Sequence, residues 1–229
     1  MSIFVNRITK ITQQLPKIPS TRLPYAVNLN CLNFFPNNIE YNIPLYQLTP
    51  YYLRDEEGHI FENIWQGSKI YHFVSAQTEI KANKVIWQHP TETHVINGLI
   101  QPAYWAWRSK VYNNQYAVRF PNGYEGRHKC LGALWKTRDR WELLPYIVAR
   151  KKIYCKVYAE LVQKTEAYTM IKKLYDQGFD LQICEMDVRP SLITRELLKT
   201  ELHNTKESFG HGYVLASCLL GATDLFDDN

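Results

Sequence analysis

Glu62, Gln66 and Lys69 stand four and three residues apart in the segment Gly58-His59-Ile60-Phe61-Glu62-Asn63-Ile64-Trp65-Gln66-Gly67-Ser68-Lys69. On a helix with 3.6 residues per turn they fall within about 60° of one another, so a carboxylate, an amide and an ammonium share one stripe. A carboxylate placed this way can stabilise positive charge developing on a substrate or move a proton. The ammonium can hold that carboxylate ionised, bind an anion or act as an amine nucleophile. Ile60, Ile64 and Tyr71 fall on the opposite side, which lets the segment bury one face and present the polar stripe to a cleft. The same pattern also describes a partly exposed amphipathic helix in which Gln66 bridges a Glu–Lys pair in solvent.

Three other segments carry groups of this kind. Phe179, Leu181 and Ile183 alternate with Asp180, Gln182 and Cys184, and the apolar parity continues into Glu185 and Asp187. An inward strand face that ends in two acids needs a polar cavity, cationic partners such as Arg189 and Arg195, or an exit into solvent. Gly210-His211-Gly212 precedes an apolar helical run, where backbone N–H groups at the positive end of the helix dipole suit a phosphate. The two glycines would equally serve tight loop-to-helix packing. Tyr104-Trp105-Ala106-Trp107-Arg108 offers indoles ahead of an arginine, a stacking face and an anion contact for a phosphate-bearing base, or simply core aromatics. His89 and His94 flank Glu92, but the spacing is not HExxH and Pro90 opposes a helix, so a zinc peptidase is excluded. The absence of a Walker A loop, a GxGxxG turn and a GxSxG elbow removes the usual NTPase, dinucleotide-binding and serine-hydrolase readings.

Elements to position these groups are legible in outline. The 229 residues, 45% hydrophobic, can close one substantial core. Five scattered cysteines, odd in number and never spaced CxxC, point to reduced thiols and not to a disulfide framework or a structural zinc site. With no apolar run long enough for a bilayer and no signal-peptide pattern, a soluble cytoplasmic protein is expected. A net charge of +5 favours an anionic ligand without marking a nucleic-acid coat. Residues 1–24 carry Arg7, Lys10, Lys17 and Arg22 and no acid, and are broken by Pro16, Pro19 and Pro24, which reads as an arm laid on a single domain of residues 25–229. Short strands and the turn Asp55-Glu56-Glu57-Gly58 should lead into the Glu62 helix, and a strand should end at Pro121-Asn122-Gly123. Helical periodicity is expected from about Trp141, through Ile153, Val157 and Leu161. A helix from Glu166 should end at Gly178, one from Pro190 should run Ser191 to His203, and a last one Tyr213 to Leu220.

The stretch from Leu48-Thr49-Pro50 through Gly58 to Lys69 resembles the signature of the NADAR superfamily, a short loop, a glycine turn and a helix reading roughly S-E-H-[YF]-x-Q-A-x-K. Glu62, Gln66 and Lys69 match its glutamate, glutamine and lysine, and Asn63 stands where the histidine is usual. Phe209 to Leu220 is similar to the family's closing aromatic-glycine turn and helix, and Leu181 to Asp187 looks like its acidic segment. The D-x-x-W-G element is either split, with Asp187 ahead of an inserted helix, or altered to Glu207-Ser208-Phe209-Gly210. Trp105, Trp107 and Trp141 compete for the family's tryptophan. The resemblance spans about residues 45–221 and implies an α+β fold, a mainly helical single domain of the NADAR-like type with short strands behind an N-terminal extended arm.

That resemblance implies an N-glycosidase hydrolysing the C–N bond between a ribose phosphate or ADP-ribose and a nucleobase, such as ADP-ribosylated guanine in nucleic acid or a nucleotide derivative. Loss of a base leaves an oxocarbenium-like sugar that a carboxylate can stabilise. The expected site has Glu62, Asp187 and Lys69 as catalytic residues, and Asn63, Gln66, Trp105, Arg108, Gly210, His211 and Gly212 as substrate-binding ones. No metal, cofactor or membrane partner is expected, and the oligomeric state is left open. The alternative is a non-catalytic nucleotide, ADP-ribose or nucleic-acid binder of the same fold.

Overall fold

The computed structural model describes residues 1–7, 25–28, 43–74, 80–81, 84–86, 92–119, 129–138 and 140–227. Backbone proximity divides the chain into two compact units, Arg54–Ala149 on the one hand and Met1–Leu53 with Arg150–Asn229 on the other. Helices and small sheets occur in both, an α+β arrangement.

In the unit Arg54–Ala149, helix α1 (Phe61–Ser68) begins after Ile60 and has all eight residues buried. It is therefore not the half-exposed amphipathic helix its stripe describes. Lys69 is not its last residue: with φ −67° and ψ 142° it opens the strand Lys69–Tyr71. Helix α2 (Pro102–Tyr112) starts with proline at its first turn, where the missing N–H costs nothing, and buries Tyr104, Trp107, Arg108 and Val111 at helical spacing. Strands Cys130–Thr137 and Arg140–Leu144 form an antiparallel hairpin, and Lys69–Tyr71 pairs with the other edge of Cys130–Thr137. The helical periodicity expected from Trp141 starts later, because Trp141 and Leu143 are exposed while Leu144 is buried, the period-two pattern of a strand edge. The short helix α3 (Tyr146–Ala149) follows. Ile70, Tyr71, Tyr104, Trp107, Val111, Val118 and Leu134 make the core of this unit. The turn Pro121-Asn122-Gly123 lies outside the described residues, just beyond the strand Val118–Arg119.

The other unit holds a four-stranded sheet in the order Ser191–Leu192, Ile3–Arg7, Leu181–Glu185, Tyr25–Asn28. Ile3–Arg7 is thus an interior strand, parallel to Leu181–Glu185 in the register Ile3↔Leu181 to Arg7↔Glu185, and not part of an extended arm. Four of its five residues are buried, so its apolar run is core sequence, while residues 8–24 lie outside the described residues. Leu181–Glu185 has neighbours on both sides and every residue buried, which explains why both parities of the stretch are largely uncharged. Helix α4 (Lys156–Val162) continues a π-helical stretch, Arg150–Cys155. Helix α5 (Glu166–Asp176) is capped by the Thr165 side chain, which accepts the Tyr168 N–H at 3.1 Å. Helix α6 (Arg195–His203) starts later than Pro190 suggests, because Ser191–Leu192 is drawn into antiparallel pairing with Ile3–Arg7 and Thr194 then caps the helix. Helix α7 (His211–Leu220) is buried along nearly its whole length, as its all-round apolar sequence demands, and Gly221 at φ +67° ends it.

Candidate functional site

The expected site residues divide between the two units. Glu62, Asn63, Gln66, Lys69, Trp105 and Arg108 belong to one, and Asp187, Gly210, His211 and Gly212 to the other.

Within the first set, α1 brings Glu62 and Gln66 onto one stripe, where Gln66 Nε2 donates to Glu62 Oε1 at 3.0 Å. Lys69 Nζ donates to Gln66 Oε1 at 3.0 Å, so the amide links acid to cation with its donor end toward one and its acceptor end toward the other. The Lys69 ammonium also lies 4.7 Å from the centre of the Trp65 ring, a cation–π contact. Glu62 is only 5% exposed, and among the described residues its side chain bonds a neutral amide through Oε1 and leaves Oε2 without a protein hydrogen bond. Desolvation strengthens the pull of such a carboxylate on any cation brought beside it.

Asn63, on the same helix, is fully buried and works on the chain itself. Its Nδ2 donates to the carbonyls of Asn114 and Tyr116 at 3.1 and 3.0 Å, and its Oδ1 accepts the Val118 N–H at 2.7 Å. It brackets the segment after α2 and has no donor left for a ligand.

Arg108 is 9% exposed, and its Nη1 and Nη2 are engaged by the protein. Nη2 donates to Tyr112 Oη at 2.6 Å, Nη1 to the Leu134 carbonyl at 3.2 Å and to Tyr104 Oη at 3.3 Å, and the guanidinium lies between the rings of Tyr112 and Trp141 at 4.3 and 4.7 Å. The anion contact expected of Arg108 is replaced by this internal role. Trp107 is core, whereas Trp105 is half-buried and meets the 42% exposed Trp141 edge-on at 4.9 Å. Of the three indoles, Trp105 and Trp141 are the pair that reaches the surface.

In the other unit, the Gly212 nitrogen at the start of α7 is not open to a phosphate. Glu185, the last residue of its strand, accepts the Gly212 N–H on Oε2 at 2.8 Å and faces His211 Nδ1 with Oε1 at 2.9 Å. The chain supplies its own anion to the helix terminus. Space for that carboxylate explains the glycines: a Cβ on Gly210 would lie 2.4 Å and one on Gly212 2.8 Å from a Glu185 oxygen. Arg189 and Arg195, possible partners for the acids of this strand, pair with Glu201 and Asp224 instead. Asp187 is exposed two residues beyond the strand, and Glu207, the other candidate second carboxylate, is exposed as well and lends its main-chain carbonyl to Arg150 at 2.9 Å.

One feature of the first unit involves none of the residues singled out in the sequence for chemistry. A cavity of about 490 Å³ opens beside the turn before α1 and the segment after α2, lined among others by Arg54, His59, Tyr112, Asn113, Asn114 and Tyr116, none of them an expected site residue. The signal in the sequence was Asp55 four residues before His59 around Gly58, which reads as a turn and nothing more.

Among the described residues, no group of three or more His, Cys, Asp or Glu is placed to hold a metal ion, and no helix is long and apolar enough to cross a membrane. No family model, characterised protein or solved structure matches the chain.

Proposed function

We propose that the chain is a NADAR-like N-glycosidase that hydrolyses the bond between a phosphate-bearing ribose and a nucleobase, with Glu62 as the carboxylate beside the ribosyl carbon. The observation that supports this reading is the Glu62–Gln66–Lys69 chain, in which a buried, helix-fixed carboxylate keeps one oxygen without a hydrogen bond among the described residues. The C1′–N bond breaks with its electron pair leaving on the base, which takes up a proton from solvent. Glu62 stabilises the cationic sugar, water adds to C1′, and Glu62 accepts the proton that water gives up and passes it to solvent. Gln66 fixes the carboxylate's rotamer, and Lys69 supplies positive charge for a substrate phosphate. The reading takes its chemistry from one unit and assigns no step to Asp187.

A second reading, a non-catalytic binder of nucleotide or nucleic acid, draws on Asn63, which stands where the resembled motif has histidine and spends its polar atoms on the backbone. Both are tested by incubating the protein with DNA carrying ADP-ribosyl guanine and with phosphoribosylated pyrimidine, and measuring released base and sugar. Turnover that falls at least about 100-fold in Glu62→Gln at unchanged Tm is expected, the loss typical when a group that stabilises transition-state charge is removed. Binding without turnover supports the second reading, and turnover unchanged in Glu62→Gln removes Glu62 from the chemistry.

A further inference from the structure

The turn before α1 is built around one carboxylate. Asp55 Oδ1 accepts the N–H of Glu57 at 3.1 Å and of His59 at 2.8 Å, while Oδ2 faces His59 Nδ1 at 2.9 Å. The Asp55 N–H donates back to the His59 carbonyl at 3.1 Å, and Gly58 at φ +86° lets the chain reverse. Since an ionised carboxylate only accepts, the proton of the neutral imidazole is on Nδ1, and Nε2 carries the lone pair. The ring is further held by Tyr112, edge to face at 5.4 Å. An imidazole with a fixed tautomer and orientation therefore lines the cavity of about 490 Å³.

The opposite wall, the segment after α2, is fixed just as firmly. Asn63 holds the carbonyls of Asn114 and Tyr116, Asn114 Oδ1 accepts the Tyr116 N–H at 2.9 Å, and Asn113 Nδ2 donates to the Ser109 carbonyl at 2.8 Å. Among the described residues these bonds leave acceptors such as His59 Nε2 and Asn113 Oδ1, and donors such as Asn114 Nδ2 and Arg54 Nη2, without partners around the cavity, and the Gln115 amide and the Tyr116 hydroxyl add groups of both kinds. Such a mixture matches hydroxyl groups, which donate and accept at once, and the Tyr112 and Tyr116 rings offer faces to the apolar side of a sugar. Arg54 and Glu57 oppose each other in charge at the rim, so the lining does not select an anion. The volume falls in the range of small-molecule sites.

We propose that this cavity binds a neutral polyhydroxylated ring, the sugar of a nucleoside or a free saccharide, with His59 Nε2 accepting a hydrogen bond from one ring hydroxyl. The inference does not depend on the glycosidase reading, because neither Glu62 nor Lys69 lines the cavity.

The test is a titration of the full chain, labelled at histidine with ¹⁵N, with methyl β-D-ribofuranoside, adenosine, methyl α-D-mannopyranoside and ribose 5-phosphate. A saturable shift of the His59 Nε2 resonance with a neutral probe is expected. Affinity should weaken by about tenfold in His59→Phe and in Asn114→Ala, the loss of one hydrogen bond, and stay unchanged in Glu62→Gln. Equal binding of the riboside and adenosine assigns the site to a nucleoside's sugar, and binding of the mannoside assigns it to a saccharide. No shift with any probe into the tens of millimolar overturns the proposal, as does ribose 5-phosphate binding more than about tenfold tighter than the riboside, which would make it an anion site.

Discussion

Glu185 Oε2 accepts the Gly212 N–H at 2.8 Å, so the acid at the end of one strand closes the first turn of α7. The backbone of Gly210 has φ −69° and ψ 166°, which any residue adopts, so the glycine is required by space and not by conformation. Carboxylate, imidazole and helix dipole satisfy one another in a place where a lone charge would be costly.

Gly210→Ala should therefore destabilise the protein by about 1–3 kcal/mol, the usual cost of overpacking, read as a drop of several degrees in Tm. The Cβ would stand 2.4 Å from Glu185 Oε2. In a Glu185→Ser background the same alanine should cost little, because the obstructing carboxylate is gone; an undiminished cost would show that another contact demands the glycine.

Legibility followed the range of the interactions. The Glu62–Gln66–Lys69 chain could be read from spacing because i,i+4 neighbours meet within one helix, and even Lys69, turned out of the helix, keeps its bond to Gln66. Helix α5 and the strand Leu181–Glu185 were likewise visible as local periods. The strand Ile3–Arg7 was not, because its partner lies 178 positions away, as in Ile3↔Leu181, and a run of three apolar residues, Ile3 to Val5, says nothing of what it pairs with. The destination of Glu185 was hidden for the same reason. Parity shows that an acid points inward, and only tertiary structure shows that a helix terminus is waiting there.

Arg108→Lys should be disruptive although it conserves charge. An ammonium cannot span Tyr112 Oη, Tyr104 Oη and the Leu134 carbonyl together, nor lie flat between the Tyr112 and Trp141 rings. A loss of about 2–4 kcal/mol is expected from buried acceptors left unpaired, measured by urea unfolding. Were Arg108 a ligand contact instead, stability would hold and only ligand affinity would fall.

Alkali should unfold the chain through its phenols and thiols. Burial raises Tyr104, Tyr168 and Cys218 to about 12, and pushes Tyr71, Tyr158 and Cys155 up as well. A group whose folded pKa is raised contributes fully below its unfolded pKa, and that contribution disappears as pH climbs toward the folded value. Each buried phenol thus removes up to about 1.4 kcal/mol per pH unit between about 10 and 12. Urea midpoints should be flat from neutral pH to about 9 and then fall steeply, with a step in phenolate absorbance at 295 nm, that of the buried phenols, accompanying unfolding. Phenolate absorbance that saturates while the fold persists would contradict the burial argument.

Gln66→Glu tests whether the amide's polarity matters or merely its shape. In the wild-type chain the Nε2 end faces the Glu62 carboxylate and the Oε1 end faces the Lys69 ammonium, so one neutral group satisfies both charges. A glutamate there keeps the bond to Lys69 but turns an acceptor toward Glu62 in a place where Glu62 is 5% exposed. Two buried carboxylates in contact cannot both ionise cheaply, so one must hold a proton and its folded pKa rises above the unfolded value near 4.3. The sign follows: the variant keeps its stability below about pH 4 and loses it as pH rises, so its deficit against the wild type should be small near pH 4.5 and grow by about 1–3 kcal/mol at pH 7.5. Urea unfolding of both proteins at the two pH values measures this directly. A deficit independent of pH would mean that Glu62 and residue 66 do not share a proton, and that the chain from Glu62 to Lys69 is held by packing alone.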